Sequence, residues 1–182
     1  QIDAGVAGVQ LDECELPMTS VRYGGCFCKD CMKQFNEYLK ELKAKGELPS
    51  ELADVDLDKF NYGDYLRATG LPYPGNISDL PLYKYYWDLQ MRAVKKHFNE
   101  LADYIREYGE KKGRKVLVSG NFFNIMPVYY PLESNVDVII TEMRQTLFKE
   151  ISWYRYVAGF AGDKPVIVAE NPYGSVVIDL VK

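Results

Sequence analysis

The sequence predicts an α/β fold, read as the middle and later part of a (β/α)8 TIM barrel. Three observations lead there. Four apolar runs rich in Val, Ile and Leu alternate with segments of helical periodicity. Each run ends in polar residues, with Glu13, Asn121, Glu142 and Glu170 at the four ends, and the C-terminal ends of barrel strands are where catalytic residues sit. No G-x-G-x-x-G or G-x-x-x-x-G-K-[ST] follows any run, which withdraws support from the nucleotide-binding forms of the open doubly wound sheet, the competing α/β solution. A whole barrel takes about 250 residues and eight strands. The chain has 182 residues, so residues 1–182 are expected to be part of one barrel domain, with the remainder supplied by sequence outside this chain.

Taken in order, Gly8 to Glu13 is the first expected strand. A helix follows over Asp30 to Ala44, with Met32, Phe35, Tyr38, Leu39 and Leu42 on one side and Gly46 as its stop. Residues 44–80, rich in Tyr, Pro and Gly, read as a connecting insertion able to cover the barrel mouth. Asp79 to Tyr108 is a long helix with Leu82, Tyr86, Leu89, Ala93, His97, Leu101, Tyr104 and Tyr108 on one stripe, Pro81 in its first turn and Gly109 and Gly113 closing it. His97 is therefore expected as a packed core residue. Strands are expected over Val116 to Asn121 and Val136 to Glu142. A helix over Thr146 to Ala161, with Leu147, Ile151, Tyr154 and Val157 on one side, leads to the last strand, Val166 to Asn171.

Composition narrows the function. Twenty-two Lys and Arg against 26 Asp and Glu leave a net charge of −4, which argues against a nucleic-acid surface and against docking to anionic lipid. No apolar run reaches the roughly 18 residues of a membrane span. The chain opens Gln1-Ile2-Asp3-Ala4-Gly5 without Met or a basic leader and reads as the interior of a longer protein, with a cytoplasmic setting favoured over a secreted one. A homo-oligomer stays open. With one His in the chain, carboxylates are the expected proton carriers.

Two carboxyl groups facing each other across a glycosidic bond are what glycoside hydrolysis requires. Asp12, Glu13, Glu142 and Glu170 are the candidates. Strand alternation puts Gln10 and Asp12 on one face and Val9 and Leu11 on the other, which favours Asp12 as the inward group. The alternative is that Asp12 braces the following loop while Glu13 is solvated. Sugar rings stack on aromatic side chains while polar neighbours fix the hydroxyls. Phe122 and Tyr173 follow strand ends, and Asn121, Asn124, Arg144 and Asn171 are the polar candidates beside them. Trp87 and Trp153 lie on helices and are expected in the core.

All four cysteines are Cys14, Cys26, Cys28 and Cys31. The C-x-C-x-x-C spacing of the last three reads as a metal knuckle, because thiolates bind Zn²⁺ tetrahedrally and neighbouring cysteines in one turn converge. Cys14 is a candidate fourth ligand. Such a Zn²⁺ would be structural, since an ion saturated by Cys has no open position. Reduced, metal-free thiols are the alternative.

Leu11-Asp12-Glu13, then Gly24-Gly25-Cys26-Phe27-Cys28-Lys29-Asp30-Cys31-Met32, then Phe35-Asn36-Glu37-Tyr38-Leu39 resemble barrel glycoside hydrolases of the family-42 β-galactosidase kind and related glycosidase-like barrels. The resemblance is strongest over residues 5–42. It implies that the chain carries barrel strands 4 to 7, that Glu13 is the acid/base and Glu170 the nucleophile, and that one further Cys ligand comes from upstream. Asp12 stands where the wider clan has Asn. Other barrel glycosidases use a strand-4 Asp as nucleophile with a Glu from strand 5 or 6, a pattern that Asp12 and Glu142 would fit. The expected function is a glycoside hydrolase acting on a carbohydrate substrate. A non-catalytic carbohydrate-binding barrel and a zinc-stabilised interaction module are the other readings.

Overall fold

The computed structural model describes residues 1–12, 14, 26–71, 79–143 and 151–170. Strands form at the four apolar runs: β1 (Gly8–Leu11), β2 (Leu117–Gly120), β3 (Ile139–Met143) and β4 (Val166–Glu170). The helices are α1 (Lys29–Lys45), α2 (Tyr62–Ala68), α3 (Tyr83–Lys111) and α4 (Ile151–Ala161), with 3₁₀ segments over Phe123–Ile125 and Pro127–Asn135 between β2 and β3. None of these helices is long and apolar enough to cross a membrane.

The barrel expectation is corrected here. β1 pairs in parallel with β2, from Gly8 opposite Leu117 to Leu11 opposite Gly120. β3 pairs in parallel with β4, from Ile139 opposite Val166 to Met143 opposite Glu170. The described strands thus make two two-stranded sheets in a small mixed α/β assembly, not the stretch of barrel wall expected of strands 4 to 7. A single parallel bridge, Asn121 to Ile140, joins them.

Side chains explain the break. At the β2–β3 joint the Val118 N–H donates to the Asp137 carboxylate (2.9 Å) instead of a strand carbonyl. The Val138 carbonyl accepts from the Ser119 hydroxyl (2.7 Å). The Asp137 N–H to Val118 carbonyl bond (2.8 Å) and the Phe122 N–H to Ile140 carbonyl bond (2.9 Å) remain between backbones. A ladder whose donors and acceptors are satisfied by side chains has no need to continue. Burial departs from a barrel wall as well. Strands of an all-parallel sheet are covered on both faces, yet in β4 Val166 is 38% and Ile167 53% exposed.

By contacts the chain divides into two units, Gln1–Glu15 with Lys95–Lys182, and Leu16–Val94. In the first, which holds the sheets, Val118, Phe122, Ile125, Leu132 and Ile139 are fully buried. On α4 the buried stripe is Trp153, Val157 and Ala161, four residues apart, while Tyr154 is 41% exposed, so the apolar face lies beside the expected one. Residues 144–150, including Leu147, lie outside the described residues.

The second unit is helical. Met32, Phe35, Leu39 and Leu42 of α1 face its core, and Gly46, at φ 73°, ends α1 by a left-handed turn whose N–H groups return to the Leu42 and Lys43 carbonyls. Leu52, Leu57, Phe60, Tyr62 and Leu66 join that core, with Leu82, Tyr86 and Leu89 from the start of α3. The Phe35 ring packs 5.1 Å from Tyr86, edge to face, and 5.4 Å from Tyr62.

The stripe expected on α3 holds only for its first turns. After Leu89 the buried apolar side chains are Val94, Phe98, Ala102 and Ile105, each one position later than expected, and His97 is exposed. This corrects the core placement of His97. The buried face of α3 thus moves by one position between Leu89 and Val94. Gly109 does not close α3 but lies inside it, against Val116.

Candidate functional site

The sheet unit brings two candidate carboxylates together. Asp12 directly follows β1, and the Asn121 N–H bonds to the Leu11 carbonyl (2.9 Å), extending the β1–β2 register by one residue. Asn121 is also the residue that bridges to Ile140 of β3, two residues before Glu142. One side-chain amide therefore stands between the ends of three strands. Asn121 Nδ2 donates to Asp12 Oδ1 at 3.0 Å and to Glu142 Oε1 at 3.1 Å. Two bonds from one nitrogen leave those oxygens at most about 6.1 Å apart. Asp12 is exposed and Glu142 half-buried. Asn121 Oδ1 is buried, with no hydrogen-bond partner among the described residues. Asn121 was a sugar-binding candidate by its residue type. That it joins two carboxylates was not readable, because its partners are 109 and 21 residues away.

Glu170 closes β4 opposite Met143, and Asn124 lies in the 3₁₀ segment Phe123–Ile125; their side chains lie outside the described atoms. Glu13, Arg144, Asn171 and Tyr173 lie outside the described residues. Phe122 is fully buried, with Tyr129 at 5.5 Å and Phe160 at 5.9 Å, both edge to face. Its ring serves the core and presents no face to a ligand. Cys14, half-buried, belongs to this unit too; a methyl group built on Gly120 would come within 3.1 Å of its sulfur.

The helical unit holds the cysteine cluster. Cys28 is the N-cap of α1 and Cys31 its third helical residue, the relation by which N-cap side chains normally meet the first turn. Cys26, Cys28 and Cys31 have their sulfurs within 4.8 Å of one another. Phe27 anchors the turn, its ring 5.9 Å from both Tyr62 and Tyr86, and the Tyr86 hydroxyl donates to the Cys26 carbonyl. Cys26 and Cys28 are exposed and Cys31 is half-buried.

Electrostatics separate these thiols. The Cys31 backbone N–H, then the neighbouring Cys26 and Cys31 thiols, hold the Cys28 thiol below its ordinary range, as expected at a helix N-terminus. Burial, then the hydrogen bonds from Cys28 and Cys26, push Cys31 up to about 12. Ligands 2.3 Å from a tetrahedral ion are about 3.8 Å apart, so a small contraction turns this cluster into three metal ligands, and a cation deprotonates such thiols on binding. The donor set fits a thiophilic metal ion.

No protein-family model matches this chain, and no solved structure matches it. The chain is 33% identical over 92 residues to the alpha-agarase of Thalassotalea agarivorans, a match that covers 47% of this chain and 6% of that protein. The chain thus spans a small fraction of the curated relative it matches, and at this level it is distantly similar, over part of its length, to a glycoside hydrolase.

Proposed function

We propose that this chain contributes a carboxylate pair to a glycoside hydrolase, with Asp12 and Glu142 as the reacting groups. The observation that carries this reading is the single amide, Asn121, bonded to both carboxylates. Retaining glycosidases hold their carboxyl groups about 5–5.5 Å apart and inverting ones about 6.5–9.5 Å apart. A separation of at most about 6.1 Å supports the retaining course. Glu142, the less exposed of the two, donates a proton to the leaving oxygen while Asp12 attacks the anomeric carbon. Water, deprotonated by Glu142, then opens the glycosyl ester and releases Asp12. Asn121 positions both groups. Partial similarity to an alpha-agarase makes agarose the first polysaccharide to try. Zn²⁺ is the ion we assign to Cys26, Cys28 and Cys31, where it would tie the start of α1 in place.

The test is hydrolysis of agarose and of chromogenic glycosides by the full-length protein. Asp12→Asn and Glu142→Gln keep shape while removing the nucleophile or the proton donor, so each should lower turnover on the order of 10³-fold or more. Near-normal turnover in both variants would refute the assignment. Sugar binding without turnover in the parent protein would favour the non-catalytic carbohydrate-binding reading.

A further inference from the structure

The cysteine cluster has the geometry for chemistry beyond holding an ion. Its three sulfurs lie within 4.8 Å of one another, and none is in a disulfide. Cys28 and Cys31 are N-cap and third residue of the same helical turn. Residues three apart on a helix have Cβ atoms about 5–6 Å apart, and a disulfide needs Cα atoms about 4.4–6.8 Å and Cβ atoms about 3.5–4.5 Å apart. A tightening of the first turn has to close that gap between the Cβ atoms, and side-chain rotation then aligns the two sulfurs. Cys26 and Cys28 are less suited to each other, because only Phe27 separates them and its ring is packed against Tyr62 and Tyr86.

We infer that Cys28 and Cys31 are a redox-active dithiol, whose disulfide and a metal ion bound to the same sulfurs exclude each other. The co-reactant is a low-molecular-weight disulfide. The exposed Cys28 sulfur, as thiolate, attacks one sulfur of that disulfide and expels the other half as a thiolate, leaving a mixed disulfide on Cys28. The Cys31 sulfur, losing its proton to solvent, then attacks Cys28 and expels the second half. Two protein thiols become one disulfide and one small disulfide becomes two thiols. Exclusion follows from the electron count. The lone pairs that bind a metal belong to thiolates, and once Cys28 and Cys31 are bonded to each other only Cys26 remains as a thiolate ligand. Exposure of Cys26 and Cys28 gives the small disulfide its access.

The experiment uses metal-free, reduced chain and glutathione disulfide. After incubation, remaining thiols are blocked with N-ethylmaleimide and the digest is read by mass spectrometry. The expected product has Cys28 bonded to Cys31, with Cys14 and Cys26 alkylated. Folding should speed closure of the bridge roughly ten-fold or more over the same chain in concentrated guanidinium chloride. Cys31→Ser should stop at glutathione on Cys28. Cys26→Ser should still form the bridge, which keeps the test valid if the Cys31 substitution impairs folding. A product lacking the Cys28–Cys31 bond, a dominant bridge to Cys14 or Cys26, or equal rates in folded and denatured chain would overturn the dithiol. In a second arm the chain carries one equivalent of Zn²⁺, and a colorimetric chelator should register one zinc released per bridge formed. Failure to bind zinc, or retention of zinc through bridge formation, would overturn the exclusion.

Discussion

Gly109 offers a sharp test of the packing between α3 and the segment that leads into β2, because its sign runs against helix propensity. Replacing an exposed helical Gly with Ala normally stabilises by about 0.8–1.0 kcal/mol. Gly109 is buried inside α3, and a Cβ there would stand 2.6 Å from Val116 Cγ2, 3.0 Å from the Arg114 carbonyl oxygen and 3.2 Å from Val116 Cβ. Val116 is 2% exposed and has little room to move. Arg114 is pinned as well, since its N–H bonds back to the Gly109 carbonyl at 3.0 Å. Overpacking of this kind costs about 1–3 kcal/mol. Net of the propensity gain, Gly109→Ala should destabilise by up to about 2 kcal/mol, or several degrees in Tm for a chain of this size. Gly159 in α4 is the control, with nothing among the described residues within 4 Å of an added Cβ. Gly159→Ala should stabilise by about 0.5–1 kcal/mol. Urea unfolding of both variants gives the two midpoints, and in a Val116→Ala background the Gly109→Ala penalty should shrink. A Gly109→Ala protein stabilised as much as Gly159→Ala would refute the close approach.

Two further outcomes follow from the same structure. Asp137 is pushed up by burial, but the Val118 N–H and the Arg106 guanidinium outweigh this and hold its carboxyl below the usual range. A lowered folded pKa means stability that is full above the unfolded value near 3.9 and lost as pH falls through the folded value. The stability gap between the parent and Asp137→Asn, read by urea unfolding at a series of pH values, should therefore be widest above about pH 5 and narrow as pH falls below about 4; a pH-independent gap would contradict the assignment. Zn²⁺ added to metal-free chain should raise the unfolding midpoint by mass action, about 2.7 kcal/mol at a hundred-fold excess over Kd. Cys28→Ser should abolish most of that shift in calorimetry.

The strands and the cysteine turn were readable because each depends on neighbours in sequence. Val, Ile and Leu runs mark β2, β3 and β4, and Cys28 and Cys31 sit three apart where the first turn of a helix closes. The misreadings share one cause, dependence on residues far along the chain. The barrel expectation failed at the β2–β3 joint, where the Asp137 carboxylate and the Ser119 hydroxyl replace backbone partners across 19 residues. His97 was misplaced because α3 buries a different face after Leu89. Phe122 looked like a stacking ring because it follows a strand, yet Tyr129 and Phe160 cover it. For the carboxylates, residue types allowed two pairings; the structure joins Asp12 and Glu142 through Asn121, while Glu13 and the side chain of Glu170 lie outside the described atoms.

The joint that ends the sheet also sets the spacing of that pair. Asn121 stands where β2 leaves the ladder: its N–H is held by Leu11 and its backbone bridges to Ile140. The next N–H, of Phe122, bonds to the Ile140 carbonyl at 2.9 Å. The Phe122 carbonyl accepts from the Thr141 hydroxyl at 2.6 Å, and Thr141 is fully buried. Two successive residues of the β2 end are thus tied to β3, one by backbone and one by a buried side chain. The amide of Asn121 is left with little freedom to follow either carboxylate, so it fixes the distance between them. Thr141→Val removes the hydroxyl while keeping the shape; the Phe122 carbonyl keeps its bond from the Ile125 N–H at 3.0 Å, so the loss is that of one hydrogen bond, about 0.5–1.5 kcal/mol. Asn121→Ala removes both bonds to the carboxylates and little else. The joint is the local support of the proposed site, and the two substitutions separate support of the backbone from spacing of the reacting groups.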